Sequence, residues 1–197
     1  FDPSHLIVIN DAAYNDVDGA EKDATLANKI NGEAVEYLAE AAAEIGATFV
    51  HYSTDYVFDG AKKDGEREDD APNPISAYGK SKFLGEQKIL SLRAERSNLK
   101  SYLILTSRLF GKQGSGKQSF VDLMLARAKK PEIVSPYGDM ISVVDAEVSS
   151  PTYVEDLARR TREIIEQKKP SGIYHVTNSG ATTWYGFAQE VFRQTFE

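Results

Sequence analysis

The chain has 197 residues, 41% hydrophobic and 27% charged, with 23 Lys and Arg against 30 Asp and Glu, so its net charge is −7. That length fits one domain, or a domain with a small appendage, and is enough to bury a sizeable core, while the acidity argues against nucleic acid as a partner. There is no cysteine, which excludes disulfides and thiol catalysis and is compatible with a reducing cytoplasm, and no apolar run reaches the roughly 18 residues of a membrane span.

In chain order, "LIVIN" (6–10) reads as a buried strand. "GEAVEYLAEAAAEIG" places Ala34, Val35, Leu38, Ala41, Ala42 and Ile45 at helical spacing, and Gly46 stops the helix. "ATFVHYS" (47–53) predicts a second strand and the polar stretch 59–76 a loop. A helix follows from Tyr78 to about Leu92, then a strand over 101–107 and a helix over 119–128. The remaining expectations are a short strand over 141–145, a helix over 153–167, a strand over 172–178 and a helix over 184–196. Strands alternate with helices, and several strands are unbroken apolar runs. That pattern predicts an α/β doubly wound parallel sheet. Its Rossmann-type core is placed in residues 1–110, and a mixed segment over 111–197 holds part of a second, small lobe.

Ligands of such sheets bind at the carboxyl ends of the strands. "STDYVF", "SRLFGK" and "NDAAYNDVD" all stand there. The candidate chemistry lies in "YGKSK". Tyr78 and Lys82 are four residues apart at a helix start and share one face. An ammonium one turn away is expected to lower the phenol toward proton-transfer range. Thr54 or Ser53 would add a hydroxyl, and such a trio polarises and protonates a carbonyl while a hydride arrives. YxxxK alone is a weak signal that many helices carry by chance.

The context makes it specific. "STDYVFDG" is followed by Glu68, Asp70, Pro72, Pro74, Tyr78, Gly79, Ser81, Lys82, Gly85 and Glu86 in the pattern E-x-D-x-P-x-P-x-x-x-Y-G-x-S-K-x-x-G-E, with "NDAAYNDVD" before and "SSPTYVEDLA" after. In these residues the chain resembles the dTDP-4-dehydrorhamnose reductase family of the extended short-chain dehydrogenase/reductase superfamily, from about Pro3 to Phe196. The resemblance implies NADPH or NADH as cofactor, a nucleotide sugar as substrate, a cytoplasmic location and compatibility with a homodimer. It implies that Tyr78 protonates the C4 oxygen of a 4-keto-6-deoxy sugar. Thr54 would bond the same oxygen, and Lys82 would tune Tyr78 and hold the nicotinamide ribose. Ala12, Ala13 and Tyr14, with Ser53, would border the cofactor. Asp55 and Tyr56 would line the sugar pocket with Val17 opposite, and Arg108 would stand near the sugar or its diphosphate. Asn31 matches a family asparagine whose plain alternative is a helix-surface or supporting residue.

The chain also departs from the family pattern. The family's opening Gly-rich βαβ unit, which seats a pyrophosphate on a helix N-terminus, is not in the sequence, and the family continues beyond residue 197. We expect a fragment or the ordered part of a longer protein, because a sheet lacking its opening strands would expose apolar edge surface. Asp11 stands where a small residue is usual and needs a partner or solvent. Arg108 stands where the family often has tryptophan or another apolar residue, and would face the diphosphate or simply be solvated. The alternatives to a reductase are a non-catalytic binding homologue, like the methionine adenosyltransferase β subunit, and another nucleotide-sugar epimerase or dehydratase. "GKQGSGKQS" (111–119) mimics a P-loop but lacks the Ser or Thr that would ligate magnesium. His5, His51 and His175 show no metal spacing, and His51 reads as a satisfied core or supporting residue.

Overall fold

The computed structural model describes residues 6–112, 118–128 and 141–196. In chain order the elements are β1 (Ile7–Asn10), α1 (Val17–Lys22), α2 (Ala24–Asn28), a π-helical turn (Lys29–Glu33), α3 (Ala34–Glu44), β2 (Thr48–Thr54) and a 3-10 turn (Asp55–Val57). They continue with α4 (Ala77–Glu95), β3 (Ser101–Thr106), β4 (Leu109–Phe110), α5 (Phe120–Ala128), β5 (Val148–Ser149), β6 (Thr152–Tyr153), α6 (Val154–Glu166), β7 (Gly172–His175), β8 (Thr182–Thr183) and α7 (Trp184–Phe196). The P-loop-like stretch falls largely outside the described residues, as does His5.

Two compact units emerge. The first comprises Phe1–Thr106 and Glu163–Val176, the second Ser107–Arg162 and Thr177–Glu197. The division is therefore discontinuous, with β7 returning to the first unit.

The first unit is an α/β fold around a parallel sheet in the order β1-β2-β3-β7. All six residues of β3 are buried, as an inner parallel strand requires. Val35 and Ala39 of α3, Ile89 and Leu92 of α4, Phe49 of β2 and Leu103 of β3 form its apolar core. Each large side chain among them contributes roughly 1.5–3 kcal/mol by leaving water. β1 differs from the expected buried strand. Among the described residues it pairs with β2 alone. Val8 packs on the core, whereas Ile7 and Ile9, on the opposite face, are 45% and 51% exposed.

Two short helices absent from the sequence expectations follow β1. Asp16 accepts from the backbone N–H of Gly19 at 3.1 Å and caps α1; Asp23 accepts from Leu26 at 2.9 Å and caps α2. Asp16 and Asp23 are thus helix starts.

The second unit is built on two-stranded pieces, β4 with β6 and β5 with β8, beside α5 and α7. Met124, Ala188 and Val191 centre its core, with Phe120, Phe187 and Phe192 packed around them. The strand expected over 141–145 does not form. Ile141 and Val143 instead pack as irregular chain on that core, which satisfies their apolarity without a ladder.

Candidate active site

The site grows from the carboxyl end of β2. β2 runs straight into the 3-10 turn, and Thr54 caps that turn by accepting from the N–H of Tyr56 at 3.3 Å. This fixes Asp55 and Tyr56 directly after the strand. α4 starts opposite, capped by Ser76, whose hydroxyl accepts from the N–H of Gly79 at 3.0 Å. Its first turn comes so near the 3-10 turn that a Cβ on Gly79 would lie 2.2 Å from the Tyr56 carbonyl oxygen. Only glycine permits that approach, and it brings the Tyr56 and Tyr78 rings edge to face, with centroids 5.6 Å apart.

Thr54 and Tyr78 meet here: the threonine hydroxyl stands beside the Tyr78 phenol and donates to Asp55 Oδ1 at 3.2 Å. Burial dominates the phenol, and with Asp55 and Tyr56 beside it the pKa is pushed up to about 12, although the Thr54 hydroxyl acts the other way. This corrects the expected lowering by Lys82. The lysine is directed elsewhere: its Nζ donates to the Tyr52 carbonyl at 2.7 Å and lies 3.2 Å from His51 Nε2.

The inward stripe of α4 explains that direction. Gly79, Lys82, Gly85, Glu86, Ile89 and Leu92 recur at helical spacing and are all buried. The stripe is apolar only toward its end. Lys82 is 3% exposed and Glu86 1%. Burial lowers Lys82 to about 8, with Glu86 opposing the shift. Burial raises Glu86 to about 7, against the Ser53 hydrogen bond and the Lys82 charge. The Ser53 hydroxyl donates to Glu86, so it faces the helix–sheet seam rather than Thr54. His51 is 1% exposed, its ring stacked on Phe49, and burial followed by the Lys82 charge holds its pKa well below 6.5.

Asn31 proves more central than a helix-surface residue. It is fully buried in the π-helical turn. Its side-chain oxygen accepts from the N–H of Tyr14 at 2.8 Å, and its amide donates to the Tyr14 carbonyl at 3.1 Å and to Ser81 Oγ at 2.9 Å. Ser81 donates in turn to the Tyr78 carbonyl at 2.7 Å. One asparagine thus ties the loop after β1 to the helix that carries Tyr78 and Lys82. Ala12 is exposed and Ala13 half-buried on that loop; Val17 opens α1, and Asp11 is exposed and so meets solvent.

Arg108 belongs to the second unit and is not simply solvated. Its backbone φ is +44°. Its guanidinium donates to the carbonyls of Thr182 at 2.7 Å and Glu147 at 2.6 Å, and lies 4.3 Å from the Trp184 ring centroid. Among the described residues no cluster of His, Asp and Glu could hold a metal ion. No described helix is long and apolar enough to cross a membrane.

The chain is similar to known proteins over almost its whole length. The family described as RmlD substrate binding domain matches residues 2–197. The spore coat polysaccharide biosynthesis protein SpsK of Bacillus subtilis is 40% identical over 189 residues, covering 96% of this chain and 61% of SpsK. The dTDP-4-dehydrorhamnose reductase of Escherichia coli is 36% identical, over 95% of this chain and 59% of that protein. A crystal structure of the Bacillus anthracis dTDP-4-dehydrorhamnose reductase in complex with NADP, 38% identical, superposes with a TM-score of 0.84 over 96% of this chain and 62% of that one. The chain spans about three fifths of the length of these relatives. From its motifs, its fold and this match, the chain belongs to the RmlD substrate binding domain family.

Proposed function

We propose that the protein is an NAD(P)H-dependent reductase of the C4 keto group in a nucleotide-linked 6-deoxy-4-keto sugar, as in dTDP-L-rhamnose synthesis. The observation that carries this reading is the Thr54 hydroxyl beside the Tyr78 phenol at the end of β2, with Lys82 buried one helical turn on. The same reading brings with it a cytoplasmic location and a nucleotide sugar as partner.

A general acid has to be protonated when it is needed. The high pKa of Tyr78 ensures this across the neutral range. The carbonyl oxygen becomes an alkoxide as C4 is reduced, and an alkoxide is a stronger base than phenolate, so the proton moves from Tyr78 to the substrate. Thr54 donates to the same oxygen and steadies the growing charge. Asp55 and Tyr56, fixed by the 3-10 turn, line the sugar side in this reading, with Val17 opposite. The end of β1 suits the nicotinamide half of the cofactor, because Ala12 and Ala13 place nothing larger than a methyl group there and Asn31 pins the Tyr14 backbone. These residues and Lys82 would hold NADPH or NADH, which supplies the hydride.

The test is Tyr78→Phe in the protein. Keto-sugar-dependent NADPH oxidation should fall by roughly 100-fold or more, with cofactor binding retained. Unchanged turnover refutes the assignment.

A further inference from the structure

Behind Tyr78 three buried side chains form a line, and the reductase reading leaves two of them, Asn10 and His51, without a role. Asn10 closes β1, His51 is its register partner on β2, and Lys82 meets His51 from α4. They are 6%, 1% and 3% exposed.

The hydrogen bonds fix where the protons sit. The N–H of Ala12 donates to Asn10 Oδ1 at 3.2 Å, which sets the orientation of the amide. The Asn10 NH2 group therefore faces His51 Nδ1, at 3.0 Å. An amide NH2 only donates, so Nδ1 must accept and carries no proton. Burial keeps the imidazole uncharged near neutral pH, and a neutral imidazole has one N–H. That proton is on Nε2, which lies 3.2 Å from Lys82 Nζ. An amine offers a lone pair to this N–H, whereas an ammonium has none and is repelled.

We propose that Asn10 and His51 form a tautomer lock that favours the uncharged form of Lys82, which makes His51 a positioning residue of the reductase site. The proposal rests on the reductase reading for its catalytic consequence. The other groups facing Lys82 are Glu86 one turn on along α4, which favours the ammonium, and the Tyr52 carbonyl of β2, which accepts from Nζ. Tyr78 is one turn back on the same helix. The lock sets His51 against Glu86, so that Lys82 gains and loses a proton close to the working pH beside the proposed proton donor.

Long-range 1H–15N correlation spectra of the 15N-labelled protein test the lock directly. His51 should show a protonated Nε2 and a bare Nδ1; the opposite tautomer in the unaltered protein overturns the proposal. Asn10→Asp places a carboxylate against Nδ1, which should draw the proton there, present the Nε2 lone pair to Lys82, and raise the Lys82 titration by about one pH unit or more. The carboxylate also acts through space, so the same substitution in a His51→Phe background measures charge alone and should move Lys82 clearly less. Equal shifts in the two backgrounds overturn the lock. In turnover assays Asn10→Asp should shift the alkaline limb of the pH profile upward, and a profile that stays in place while Lys82 itself shifts overturns the positioning role. Absence of keto-sugar turnover in the unaltered protein would instead count against the reductase reading, and the tautomer and titration would still decide the lock.

Discussion

Lys82 and Arg108 both give donors to main-chain carbonyls, Lys82 to Tyr52 and Arg108 to Thr182 and Glu147. Their surroundings send them to different ends. Lys82 lies in a seam with Ser53, His51 and Glu86, all almost fully buried, and its pKa and that of Glu86 approach neutrality. Arg108 is half-buried, stacked against Trp184, and its guanidinium keeps its charge at any ordinary pH. The same carbonyl geometry makes an adjustable group in the first unit and a fixed clamp in the second. What distinguishes them is desolvation acting on a side chain that can lose its proton.

The seam can be broken by sterics. A Cβ on Gly85 would lie 2.2 Å from the Asn31 carbonyl oxygen. Gly85→Ala should cost about 3 kcal/mol net, since overpacking outweighs the roughly 1 kcal/mol that alanine gains over glycine in a helix. Urea unfolding measures the loss, and an unchanged midpoint would show that α4 can move away from the π-helical turn.

A milder change tests titration. Glu86 has its pKa raised from the ordinary 4.5 to about 7. Between those values the folded protein holds a proton that the unfolded chain has released. The contribution of Glu86 to stability is therefore full below about pH 4.5 and lost as pH rises through about 7. Glu86→Gln keeps a neutral partner for Ser53 and should erase that slope. Its stability relative to the parent should grow between pH 5 and 7.5, by on the order of 2 kcal/mol. Parallel stability curves for the two proteins would mean that Glu86 is ionised in the fold.

The smallest effect belongs to the clamp. Arg108→Lys keeps the charge but loses the planar fork and most of the ring stacking, and should cost about 1 kcal/mol with no dependence on pH between 5 and 9. A pH-dependent loss would erase the contrast with Lys82.

Much of the first unit was legible from sequence because its strands are apolar runs and α3 carries a regular apolar spacing. α4 was placed from a returning helical period over 78–92, but its inward face was not, since the buried stripe contains Lys82 and Glu86 and no hydrophobicity pattern marks such a face as inward. α1 and α2 were missed although Asp16 and Asp23 offered cap signals; six- and five-residue helices carry too little periodicity to stand out. The proximity of Thr54 and Tyr78 was legible, but the direction of the Tyr78 shift was not. Spacing on a helix says that two side chains share a face, and it does not say that Nζ will turn toward Tyr52 and His51. Asn31 could be matched but not explained, because its partners Tyr14 and Ser81 are 17 and 50 residues away.

The π-helical turn at Lys29–Glu33 has a consequence for insertions and deletions. A π turn accommodates one residue more than an α turn, and each residue advances an α-helix by about 100°. Removing a single residue between positions 29 and 33 would let α2 run into α3 as one regular helix. The flanking helices would keep their relative phase, since the wider turn absorbs the rotation that an extra residue would add, but the turn that seats Asn31 would be lost, and Asn31 could no longer reach Tyr14 and Ser81 together. Shortening this segment by one residue should therefore be harder to tolerate than most substitutions within it.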